Sequence, residues 1–70
     1  MGTQNIKPGK ELLNRVRGAF IARGTTLTDW CGTKGLLMQN ARAYLLGERN
    51  GRIARMWRQK LIEEALGEKQ

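Results

Sequence analysis

Thr26–Gly47 reads TLTDWCGTKGLLMQNARAYLLG, and two short helices with a glycine turn between them account for it. Thr26 is a helix cap, and Asp29, three residues on, completes a capping-box-like pattern and sits well against the positive end of the helix dipole. Leu27, Trp30 and Cys31 then fall at i, i+3 and i+4, one apolar face of a short helix. That helix has to stop near Gly35, a residue that takes positive φ without a steric penalty. A third helix follows from about Leu37 to Leu46 and is closed by Gly47. Leu36, Ala41, Tyr44 and Leu45 are its inward positions, which leaves Gln39, Asn40 and Arg42 outside.

The flanks extend the pattern. Upstream, Pro8 is suited to the first turn of a helix, and Leu12, Leu13, Val16, Ala19 and Phe20 form an amphipathic stripe. Arg15, Arg17 and Arg23 avoid that stripe, and Gly24 stops the helix. Downstream, Glu48-Arg49-Asn50-Gly51 is rich in turn residues. Asn-Gly is a hairpin signal, but its flanks do not alternate as strands do, so it is read as a helix–helix loop. The fourth helix is expected over Arg52–Leu66, with Ile53, Met56, Trp57, Leu61, Ile62 and Ala65 as a wide apolar face. The fold class is therefore all-α, a compact four-helix domain over residues 9–67 that contains a helix-turn-helix. Residues 1–8 are expected to be a flexible polar arm and residues 68–70 a frayed end.

Seventy residues make room for one domain with a marginal core, which a partner subunit or ligand can supplement. No run approaches the roughly 18 apolar residues of a membrane span, and no signal-peptide core is present at the N-terminus. Met1-Gly2 begins like a myristoylation site, but Ile6 stands where Ser or Thr is required. The chain has no histidine, no serine and one cysteine, Cys31. Triad chemistry and four-coordinate zinc both need residues that are missing, and no phosphate-cradling glycine motif occurs. No enzyme activity, cofactor or metal is expected. Cys31 is a small buried hydrophobe, since nothing near it in sequence is suited to activate the thiol.

Charge is the strongest compositional signal. Thirteen Lys and Arg against six Asp and Glu give a net charge of +7. Between Leu12 and Ile62 lie ten basic residues and two acids, Asp29 and Glu48. A small domain this basic is expected to meet a polyanion, whose condensed counterions it releases; a solvated, solubilising face is the alternative. Trp30 and Tyr44 lie on inward stripes and are read as core residues rather than base-stacking platforms, which makes RNA the weaker polyanion.

With its small residue at Cys31, turn glycine at Gly35 and apolar Leu36, Ala41 and Tyr44, the 26–47 stretch resembles the helix-turn-helix of the Cro and phage-repressor regulators. The resemblance covers about a third of the chain directly. It implies a regulator of transcription that binds a palindromic double-stranded DNA site as a homodimer, in the bacterial cytoplasm or nucleoid. It further implies base contacts early on the third helix, at Leu37, Met38, Gln39, Asn40 and Arg42. Gln39 or Asn40 pairs well with adenine, and Arg42 with guanine or a phosphate. Leu37 and Met38 stand where the family has polar residues; they contact thymine methyl groups, or this part of the surface binds protein. Phosphate contacts are expected at Thr26, Lys34, Arg49, Arg52 and Arg55, with Arg58 on the same helix face. Met56, Trp57, Leu61 and Ile62 are the expected dimer surface, because the fourth helix has apolar residues to spare. Two rivals stay open: an excisionase-like protein that bends DNA, and a small inhibitor that uses the third and fourth helices to block another protein.

Overall fold

A computed structural model describes residues 7–67 of the chain. Four helices follow one another: α1 (Lys10–Ala22), α2 (Leu27–Lys34), α3 (Met38–Leu46) and α4 (Arg52–Leu66). No strand occurs among the described residues. The expected arm lies outside the described residues up to position 6, as does the expected frayed end at 68–70.

Local chemistry sets the helix ends. Thr26 is the extended N-cap of α2, and its Oγ1 accepts from the Asp29 backbone N–H at 3.0 Å, which satisfies one of the amides that a helix start leaves without a partner. Gly35, Gly47 and Gly67 close α2, α3 and α4 in the left-handed conformation. α1 starts differently from expectation. Pro8 stands before the helix rather than in its first turn, and Gly9 makes the entry. Its φ of 156° and ψ of −173° belong to a region that is essentially glycine's alone. The Gly9 N–H donates to the Leu45 carbonyl at 2.9 Å, and its own carbonyl accepts from the Leu13 N–H at 3.0 Å. The start of α1 is thereby tied to the end of α3.

The core is one cluster. α1 supplies Leu12, Leu13, Val16 and Phe20, α2 supplies Leu27 and Cys31, α3 supplies Ala41 and Leu45, and α4 supplies Leu61. α1 packs against each of the other three helices, and α3 against α2 and α4. Burial pushes the Cys31 thiol above its ordinary pKa, the environment of an inert side chain. Trp30 is half-buried, its ring 5.9 Å from that of Phe20 and 6.3 Å from that of Trp57, the latter edge-on.

The inward face of α4 departs from the apolar stripe read from its sequence. Ala54, Arg58 and Leu61 are its buried residues, spaced i, i+4 and i+7, while Ile53 and Met56 are 57% and 42% exposed. Two of the expected partner-facing residues are therefore reassigned. Leu61 has no exposed surface and belongs to the core. Arg58, read from sequence as an outward arginine on the face of the expected phosphate contacts, is 9% exposed; its Nη1 and Nη2 each donate to Asn50 Oδ1 at 3.0 Å. Asn50 Nδ2 donates in turn to the Gly47 carbonyl at 2.8 Å. A neutral acceptor in the loop thus takes two of the five N–H groups of this inward-turned arginine. Trp57 and Ile62 are half-buried.

Gly47 gives a direct test of how α1 and α3 are joined. It has φ 86°, and a Cβ built on it falls 2.8 Å from the Pro8 Cβ. Gly47→Ala is expected to destabilise by about 1–3 kcal/mol through left-handed strain and this overlap, read as a lower denaturant midpoint. Gly32→Ala, in open space within α2, should instead be neutral or stabilise by up to about 1 kcal/mol. Equal midpoints for the two variants would count against the contact.

Candidate nucleic-acid interface

α2 and α3 are joined by the three residues Gly35, Leu36 and Leu37. Leu36 is half-buried against the core and its N–H donates to the Cys31 carbonyl at 2.9 Å, which pins the turn. Leu37 follows as the extended N-cap of α3 and is 62% exposed. The early residues of α3 then divide by face. Gln39 and Arg42 are exposed. Met38 is half-buried and packs against the core, so its side chain is partly committed inward. Asn40 is half-buried, and its Oδ1 accepts from Arg49 Nη1 at 3.3 Å. Ala43, which in sequence stands close to these residues, is turned inward and buried.

Arg42 shares a groove with residues that are distant in sequence. A cavity of about 330 Å³ is lined by Arg17 and Ile21 of α1, Thr26 and Thr28 at the start of α2, and Met38 and Arg42 of α3. The first amides of α2 open beside it, carrying the partial positive charge of a helix start. The Thr26 oxygen is occupied as an acceptor by its cap bond, which leaves the hydroxyl proton to donate. Two guanidinium groups, two threonines and a helix N-terminus thus line one concave surface, and exposed Gln39 precedes Arg42 by three residues on α3.

The other expected phosphate contacts are dispersed. Arg49, Arg52 and Arg55 are exposed around the α3–α4 connection and the first turn of α4. Arg49 and Arg52 line a cavity of about 290 Å³ with Tyr44 and Ile53. Lys34 lies at the opposite end of α2 from Thr26. Its Nζ stands 5.5 Å from the Trp30 ring, in a cleft shared with Trp57, Lys60, Glu63 and Glu64. It does not join the groove of Arg17 and Arg42.

Among the described residues one ion pair forms, Arg23 with Glu64 at 3.5 Å. No other described basic side chain lies within 4.0 Å of a described carboxylate. The chain matches no family model, no curated protein and no solved structure. Among the described residues, no helix is long and apolar enough to cross a membrane.

Sequence reasoning missed Arg17 and Thr28. Arg17 was placed only by what it avoids, the apolar stripe of α1, and its partner Arg42 is 25 residues away. The available signal was local: Arg17 and Ile21 stand at i and i+4 on one outward face of α1.

Proposed function

We propose that the chain binds double-stranded DNA, presenting α3 to the major groove in the manner of a helix-turn-helix, and regulates transcription by occupying its site. One observation carries the proposal. Arg17 and Arg42, neither in an ion pair among the described residues, line a single groove with the N-terminus of α2, and exposed Gln39 stands three residues before Arg42 on α3. Such an arrangement suits a phosphate next to the point where a polar side chain reaches base edges. Gln39 can pair bidentately with adenine and Arg42 with guanine. Exposed Leu37 fits the methyl group of thymine. The surface available for self-association on α4 is smaller than the sequence implied. Leu61 lies in the core, and what remains is Ile53 and Met56 with the outer edges of Trp57 and Ile62.

Selection from a pool of random duplexes tests the proposal. The chain should enrich one sequence, and a two-fold repeat in that sequence would report binding by two copies. Gln39→Ala and Arg42→Ala are each expected to cost about 1–3 kcal/mol on the selected duplex and less on random DNA, with circular dichroism unchanged. Enrichment of no sequence would sink the proposal and favour a protein partner for Leu37 and Ile21. Equal losses on both duplexes would move Gln39 and Arg42 to backbone contacts.

A further inference from the structure

We propose that Arg55 and Arg58 form a receptor site for a phosphoryl group, in the cavity bounded by Pro8, the α3–α4 loop and α4. The cavity measures about 490 Å³ and is lined by Pro8, Asn50, Arg55, Arg58, Gln59 and Ile62. None of these residues lines the groove of Arg17 and Arg42, so the site is separate from the proposed base-reading surface and does not depend on it.

The central observation is a buried cation without a counter-charge. Arg58 is 9% exposed, and among the described residues no carboxylate lies within ion-pair distance of it. Its only described hydrogen-bond acceptor is the neutral Asn50 Oδ1, which takes one bond from each terminal nitrogen. A guanidinium has five N–H groups, so three are left over. Burying such a group is unfavourable unless an anion or further acceptors compensate. Here the neighbouring charge has the wrong sign: burial, and then the adjacent Arg55, both act to lower the Arg58 pKa. Glu63, one turn further along α4, has its carboxylate on Gln59 Nε2 at 3.2 Å rather than on an arginine.

The geometry favours phosphate over carboxylate. Two guanidinium groups and the Gln59 amide edge the same space, and an anion with three or four oxygens can accept from all of them at once. A planar carboxylate offers two oxygens. The cavity is larger than a bare phosphate, and Pro8 and Ile62 give it an apolar wall for whatever the phosphate is attached to. Such a group comes either from a nucleic-acid backbone or from a small phosphorylated molecule.

The test follows the arginine Nε–Hε resonances of the full chain by NMR. Inorganic phosphate is titrated against chloride at constant ionic strength, and a short random duplex is added in a second arm. Phosphate is expected to shift Arg55 and Arg58 saturably and to leave Arg23, which is paired with Glu64, in place. Arg55→Gln should weaken the apparent affinity about tenfold or more, the loss of one charge-assisted hydrogen bond. Arg58→Met should abolish saturation. Should Arg58→Met fail to fold, the wild-type titration and exposed Arg55 still decide. Release of phosphate from Arg58 by the duplex would support the site and assign its phosphoryl group to the nucleic-acid backbone; retention would support it and assign a small molecule. A duplex that does not bind at all would overturn the DNA proposal while leaving a saturable phosphate site intact. Linear, non-saturating shifts at Arg58, or an unchanged affinity in Arg55→Gln, would overturn the site itself.

Discussion

Leu61→Ala is expected to lower the midpoint of thermal unfolding by roughly 10–40 °C, the shift that a loss of about 2–5 kcal/mol gives a domain of this size. Leu61 has no exposed surface and closes the cluster formed by Leu12, Val16, Phe20 and Leu45. A domain of about 70 residues rarely holds more than about 3–5 kcal/mol in its core, so the variant should be largely unfolded near body temperature. The shift should not depend on protein concentration, because the lost contacts lie within one chain. Met56→Ala, on the outer face of the same helix, should stay within about 0.5 kcal/mol of wild type. Denaturation followed by circular dichroism at two concentrations checks both. A Leu61→Ala protein that melts with wild type, or whose midpoint rises with concentration, would return Leu61 to an intermolecular surface.

Raising monovalent salt from about 50 to about 200 mM should weaken duplex binding roughly 250- to 65,000-fold, which corresponds to a log–log slope of about −4 to −8 for five to nine phosphates contacted. The net charge of +7 and the scarcity of internal ion pairs set this expectation. An arginine already neutralised within the fold releases no counterion on binding. Arg23, paired with Glu64, therefore serves as an internal control: Arg23→Gln should leave the slope unchanged. Arg17→Gln, Arg49→Gln and Arg52→Gln should each reduce its magnitude by about one and weaken all sequences alike. Fluorescence anisotropy across a salt series measures the slope. A flat response would rule out a phosphate-dominated complex.

Much of the fold was legible because it is set locally. Thr26, Gly35, Gly47 and Gly67 end their helices through bonds and dihedral angles within a few residues, and the stripe Leu12, Leu13, Val16 and Phe20 is unbroken. α4 was harder to read. Its sequence carries two overlapping faces, and counting apolar residues favours the row through Ile53 and Trp57. The fold selects the row through Ala54, Arg58 and Leu61. Small Ala54 is buried where α4 meets the core, and the arginine at 58 turns inward toward an oxygen of Asn50, eight residues earlier. A pattern that sorts arginine as outward cannot register that contact. The candidate interface was half legible for a related reason. Gln39 and Arg42 follow from the period of α3, but the groove adds Arg17 through the packing of α1 on α3, a contact with no short-range trace in sequence.

The Asn50 bonds also bear on the chemical ageing of the chain. Asn50 precedes Gly51, and an asparagine before glycine is especially open to attack by the following backbone nitrogen on its side-chain amide, since glycine presents nothing to hinder the approach. In the folded protein that amide is held from both sides, by the Gly47 carbonyl on Nδ2 and by the two Arg58 nitrogens on Oδ1. Ring closure requires the side chain to rotate out of all three bonds. Deamidation at this position is thereby coupled to local opening of the α3–α4 loop, in which Arg58 has to release the Asn50 oxygen.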